Sequence, residues 1–182
     1  GPCTVIRCAE GDQLFIWQPF SNDGHERYEI KRCLYKNLLG CDLWFEEINR
    51  SLGLVFRYCW HPGRRLGWLR TVEIANLTPK ERNLEILDGL VNLLPPGVTK
   101  VLQESLSCLA DAYKYGECDP ETGLAILSLT SNIVDRPEPS EALYATVAWQ
   151  SGLKDVEISL DGTVISRFIR SVSYTHLTLP TK

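Results

Sequence analysis

The chain has 182 residues, a charged fraction of 23%, a hydrophobic fraction of 44% and a net charge of −4. That is the composition of an ordinary globular protein, long enough for one domain with a sizeable core. Lys and Arg are scattered apart from the pair Arg64 and Arg65, so the basic stripe that phosphate backbones demand is missing and nucleic acid is not an expected partner. No apolar run approaches the roughly 20 residues of a membrane-spanning helix, and a membrane is not expected either.

The dominant hydrophobic period is two. Residues 43–48 form an apolar–acidic run, and Asn49, Arg50 and Ser51 suit a hairpin connection. Leu54, Phe56, Tyr58 and Trp60 then alternate with Val55, Arg57 and Cys59, as a half-buried strand does. His61-Pro62-Gly63-Arg64-Arg65 breaks the pattern and reads as a loop. Alternation resumes over 66–77, with Trp68, Val72 and Ile74 on one face. Thr78-Pro79-Lys80-Glu81 is a turn, and 82–90 is a further strand. Leu102, Leu106, Leu109 and Tyr113 fall at helical spacing with Gly116 placed as a cap, yet 109–118 reads equally as the first arm of a hairpin. We take a short helix near 99–107 followed by a strand. Asp119-Pro120-Glu121-Thr122-Gly123 is the strongest turn signal, and 124–130 follows as a strand. Residues 135–141, with two prolines, read as a loop. Leu143, Ala145, Val147 and Trp149 form an alternating face, which Val156, Ile158 and Leu160 repeat. Asp161-Gly162 then predicts a hairpin turn into a strand over 163–170. About ten short strands separated by turns imply a mostly β fold, an antiparallel β-sandwich of the large supersandwich type with at most one short helix.

Few residues suggest chemistry. The seven cysteines include no C-x-x-C pair and read as reduced, buried thiols of a cytoplasmic protein, with a disulfide framework or a zinc site as the alternative and the periplasm as the second choice of compartment. His25 and His61 stand apart from any cluster at ligand spacing, so neither a metal nor a cofactor is expected. Sequons occur at Asn49 and Asn76. Asp135, Glu138 and Glu141, three and six residues apart in a Pro-rich loop, could meet the fixed carboxyl separation that glycoside cleavage needs, although a solvated loop is the commoner role for such a stretch. His61 beside Arg64 and Arg65 could form an anion-binding turn, with a solvated hairpin tip as the bland alternative. The five tryptophans are many for this length. Exposed indoles stack on sugar rings, whereas Trp60 and Trp149 lie in apolar faces that suggest core packing. No phosphate loop, nucleophile elbow or dinucleotide fingerprint is present, and no catalytic residue is assigned.

Residues 172–182, running from Val172 through Tyr174, His176 and Pro180 to Lys182, resemble translated sequencing-adaptor sequence, and the chain contains no methionine. Both features point to a fragment cut at each end, with a sandwich domain over 1–171 and a non-native tail over 172–182. Three stretches carry a further resemblance. They are Leu69-Arg70-Thr71-Val72-Glu73-Ile74-Ala75-Asn76-Leu77 with Leu84-Glu85-Ile86-Leu87-Asp88-Gly89-Leu90, then Ala110-Asp111-Ala112-Tyr113-Lys114-Tyr115 with Asp119-Pro120-Glu121-Thr122-Gly123-Leu124, and lastly Pro139-Ser140-Glu141-Ala142 up to Trp149. Together they resemble the amino-terminal β-sandwich of cellobiose-phosphorylase-like enzymes of glycoside hydrolase family 94 and its neighbours. The resemblance implies a truncated, non-catalytic sandwich from a bacterial glycoside phosphorylase, hydrolase or transferase acting on β-glucan-type sugars. It would support an (α/α)6 catalytic barrel that this chain lacks, take part in dimer formation and meet carbohydrate at the active-site rim. Trp60, His61, Arg64, Arg65, Asp135, Glu138 and Glu141 are the candidate rim residues. A stand-alone carbohydrate-binding or interaction sandwich is the alternative. The orientation of the tryptophans separates the two, because a binding module exposes a row of aromatics and a supporting domain buries most of them. A missing barrel should also leave apolar surface uncovered.

Overall fold

A computed structural model describes residues 1–65, 67–135, 138, 140–153 and 156–170. The chain forms two compact units, one built mainly from residues 4–88 and the other mainly from 89–167.

The first unit is a two-layer antiparallel sandwich. Its strands are β1 (Pro2–Glu10), β2 (Gln13–Trp17), β3 (Ile30–Lys36), β4 (Leu43–Asn49), β5 (Leu54–Pro62), β6 (Trp68–Asn76) and β7 (Asn83–Leu90), with one helical turn, α1 (Gly24–Arg27), before β3. One sheet runs β2-β1-β7 and the other β3-β4-β5-β6. Arg7 pairs with Glu85 and Glu10 with Arg82, both at 3.0 Å, so positions rise along β1 as they fall along β7, an antiparallel register. In the larger sheet Phe45 faces Tyr58, and Tyr58 faces Val72. The period of two therefore sends 43, 45, 47 and 49 to the same side as 54, 56, 58 and 60.

That side is the core. Ile6, Cys8 and Trp17 from the smaller sheet bury against Leu52, Leu54, Phe56 and Tyr58, with Phe20, Phe45, Trp60 and Ile74 packed around them. Each large apolar side chain removed from water contributes about 1.5–3 kcal/mol. Phe45 stacks on Tyr58 with centroids 4.8 Å apart, and Phe20 meets Tyr58 edge-on at 5.5 Å, contacts worth about 0.5–1.5 kcal/mol each beyond area.

Two polar assemblies cross this interior. Glu47, fully buried on the inner face of β4, accepts from Trp17 Nε1 at 2.8 Å, the Phe20 amide at 2.7 Å and Arg32 Nε at 2.6 Å. Phe20 has φ +66°, a left-handed conformation that costs a non-glycine residue about 1–2 kcal/mol. The bond to Glu47 and the aromatic packing offset that cost. Between the sheets, Arg70 holds Asp88 through both Nη atoms at 2.6 and 3.0 Å while its guanidinium lies 4.9 Å from the Tyr58 ring centroid.

The second unit holds α2 (Lys100–Ser105), α3 (Ser107–Tyr113), β8 (Lys114–Asp119), β9 (Leu124–Leu129) and β10 (Ala145–Trp149), in an antiparallel sheet ordered β10-β9-β8. Thr99 caps α2, its hydroxyl accepting from the Leu102 amide at 3.1 Å. The expected turn joins β8 to β9. The Gly123 amide donates to the Asp119 carbonyl at 2.8 Å, with Gly123 at φ +69°. The core is small: Val98, Ala110 and Leu129, with Leu94, Leu102 and Tyr113 against them.

The fold class is mostly β and antiparallel, as expected, but several elements differ. Residues 163–170 form a helix, α4 (Thr163–Arg170), instead of the far arm of a hairpin. Asp161 starts it by accepting the Thr163 amide at 2.9 Å and the Thr163 hydroxyl at 2.5 Å. The half-buried positions Val164, Ile165, Phe168 and Ile169 follow the helical period. Residues 156–160 form no strand. Gly116 lies inside β8, where a Cβ would meet Leu127 at 3.2 Å, and so caps no helix. His61 and Pro62 extend β5 rather than opening the loop. Ala145, Val147 and Trp149 do share a face, but it is exposed, Val147 at 46% and Trp149 at 47%. The described residues contain four helical segments where one was expected, all of eight residues or fewer. The adaptor-like tail lies outside the described residues.

Candidate functional site

The outer face of the β3-β4-β5-β6 sheet gathers functional groups that the chain scatters. With the core on one side, alternation sends Cys33 and Tyr35 of β3, Trp44 and Glu46 of β4, Arg57, Cys59 and His61 of β5, and Thr71 and Glu73 of β6 to the other. Register sets the neighbours. Tyr35 stands opposite Trp44, Glu46 opposite Arg57, and Arg57 opposite Glu73. A shallow concavity of about 290 Å³ is lined by Tyr35, Trp44, Glu46 and Arg57, close to the lower end of the roughly 300–1,000 Å³ of small-molecule sites.

A charged row organises its floor. Arg57 donates to Glu46 through Nε at 2.9 Å and through Nη2, and to Glu73 through Nη1 at 3.0 Å. The other Glu46 oxygen accepts from the Tyr35 hydroxyl at 3.1 Å. The Arg57 hydrogen bonds hold the Glu46 carboxyl below its ordinary range, against the effect of burial and with help from Tyr35. Tyr35 is pushed up to about 12, first by its bond with Cys33 and then by that with Glu46. Near neutral pH, Glu46 is thus a fixed acceptor and Tyr35 a fixed donor.

A second row flanks the Trp44 ring. Asp42, in the turn before β4, meets His61 Nδ1 at 2.9 Å, and His61 Nε2 meets the Thr71 hydroxyl at 3.2 Å. A carboxylate can only accept, so in the neutral imidazole Nδ1 carries the proton and Nε2 accepts from Thr71. Asn37 fixes Asp42 from the other side by donating Nδ2 to Oδ2 at 2.9 Å. The imidazole sits edge-on to Trp44 at 5.9 Å. Beneath it, Cys59 is fully buried, and its thiol is pushed up by that burial and then by the charge of Asp42, which disfavours a thiolate nucleophile.

Of the residues expected at a sugar rim, His61 belongs to this face. Trp60 points the opposite way and packs against the core. Arg64 and Arg65 are exposed in the bend after β5, which the Gly63 amide closes on the Gly67 carbonyl at 2.6 Å. Asp135, Glu138 and Glu141 are exposed residues of the second unit. Their neighbours Arg136, Pro137 and Pro139 lie outside the described residues. Tyr35, Trp44, Glu46, Arg57 and Asp42 were absent from the sequence-based set. The alternation Asp42-Trp44-Glu46 was the available signal, because it puts an aromatic between two carboxylates on one side of a strand.

The other sequence features resolve simply. Asn49 is fully buried with its side-chain oxygen accepting from Leu52, and Asn76 is tied to Thr78 and Lys80, so neither sequon offers a loose amide in the folded chain. Of the cysteines, Cys8 and Cys59 are buried, while Cys41 and Cys108 are exposed. Among the described residues no three His, Cys, Asp or Glu side chains converge as a metal set, and no helix is long and apolar enough to cross a membrane. No protein-family model matches the chain, and no curated protein is significantly similar to it.

Proposed function

We propose that the chain is a non-catalytic β-sandwich of a large carbohydrate-active enzyme, a glycoside phosphorylase, hydrolase or transferase acting on β-glucan-type sugars, and that the outer face of its four-stranded sheet is where it meets sugar. The observation carrying this reading is the Tyr35–Trp44 pair set over the Glu46–Arg57–Glu73 row. Aromatic faces accept the apolar face of a pyranose, and fixed carboxylate and guanidinium groups bond its hydroxyls. Trp17 lies in the core and Trp60 packs on it, whereas Trp44 faces outward and Trp68 and Trp149 are exposed, so the tryptophans do not by themselves choose between a supporting domain and a binding module. Leu143, Tyr144, Val147, Trp149 and Leu153 leave apolar surface exposed on the second unit, as a missing catalytic barrel would. The three stretches resembling cellobiose-phosphorylase-like enzymes supply the enzyme class.

Calorimetric titration of the chain with cello-oligosaccharides tests the surface. Binding is expected, and Trp44→Ala should weaken it about tenfold, equivalent to about 1.4 kcal/mol. Undiminished binding by the variant, or no binding by the parent chain at millimolar sugar, would remove the reading.

A further inference from the structure

We infer that this surface selects uncharged sugars and rejects their acidic counterparts, an inference that rests on the sugar-binding reading above. The concavity itself is lined by one anion and one cation, Glu46 and Arg57, and Glu73 and Asp42 stand beside it on the same sheet face. Arg57 already uses Nε and Nη2 on Glu46 and Nη1 on Glu73. Asp42 adds a third carboxylate beside Trp44, committed to His61 and Asn37. Lys31 shares the outer side of β3 and lowers the Glu46 pKa through its charge, but three carboxylates against Arg57 and Lys31 leave this face net negative.

A neutral pyranose meets no penalty here. Its hydroxyls both donate and accept, so they can give hydrogen bonds to Glu73 or Asp42 and accept from the second protons of the Arg57 Nη atoms. A uronate, sulfate or phosphate group only accepts, and it must either displace Glu73 from Arg57 or lie beside carboxylates of its own sign. Like charges at close range in a partly desolvated site repel by an amount that falls as salt rises. The discrimination is therefore electrostatic, and steric exclusion would lack that salt dependence. Glu73 is the adjustable member, since it is well exposed and touches Arg57 through one nitrogen.

The experiment compares cellotetraose with its C6-carboxylated counterpart, matched in linkage and ring stereochemistry, by titration into the full chain at about 20 and 500 mM salt. Cellotetraose should bind at least tenfold more tightly at low salt, and the ratio should shrink at high salt. Glu73→Gln should narrow the ratio even at low salt by releasing Arg57. Equal or tighter binding of the carboxylated sugar, or a preference indifferent to salt and to Glu73→Gln, would overturn the inference while leaving sugar binding intact. Failure of both sugars to bind would instead overturn the sugar-binding reading, and the inference with it.

Discussion

Glu46 and Glu47 are adjacent and chemically alike, yet β4 sends one outward to Arg57 and the other inward among Trp17, Phe20 and Arg32. Replacing Glu47 with Ala would leave the buried Trp17 indole N–H without its acceptor and take one partner from Arg32, which is partly exposed and keeps the Ser21 carbonyl. We expect a loss of about 1–3 kcal/mol, the cost of a buried polar group left unpaired, measured by urea unfolding. Glu47→Gln keeps one acceptor oxygen and should lose less; equal losses would show that the hydrogen-bond acceptor is not what matters. Glu46 governs the acid response. Its folded pKa lies below the unfolded one, so its contribution is full above the ordinary carboxylate value of about 4.3 and disappears as pH falls through the depressed folded value. The stability gap between the parent chain and Glu46→Gln should be level near neutral pH and close on acidification below that value, as read from denaturant midpoints across pH. A gap that stays constant into acid would contradict the assignment. Sequence alternation places these two carboxylates on opposite faces, but it does not say which face a second sheet will cover.

The β4–β5 hairpin turns on Gly53, at φ +65°, where an added Cβ would run into Thr78 Cγ2. Gly53→Ala should cost at least the 1–2 kcal/mol typical of an L-residue in the left-handed region. Gly89→Ala, in β7 with open space around it and no positive φ, should stay within about 0.5 kcal/mol. Thermal melts of the two variants side by side provide the check, and matching melts would refute the steric argument. Strands bounded by turn residues were legible: 43–48, 54–60, 82–90 and 124–130 all fall on observed strands. β1 was not, because Thr4 to Cys8 is buried on both faces and a doubly covered strand shows no alternation. The 163–170 segment misled for a different reason. Val164 and Ile165 favour strands, while the cap from Asp161 and the 164-165-168-169 spacing favour a helix, and the local cap prevailed.

The two units differ in how much they bury. The first encloses Ile6, Trp17, Leu54, Phe56 and Tyr58, whereas the second centres on Val98, Ala110 and Leu129. Local stability follows buried apolar contact, so amide hydrogen exchange should be slowest in β4 and β5 and clearly faster in β8 to β10. Uniform protection across both sheets would mean that the units open together. Composition, turn chemistry and the period of two were enough to read a mostly β, antiparallel fold, because those properties are written locally. The candidate site was not local. Asp42, Trp44, Arg57, His61 and Thr71 come from separate turns and strands, and their meeting depends on the registers that pair β4 with β5 and β5 with β6. Register and the choice of buried face are set by the core that Trp17, Phe56 and Tyr58 build between two sheets, which no window of neighbouring residues contains.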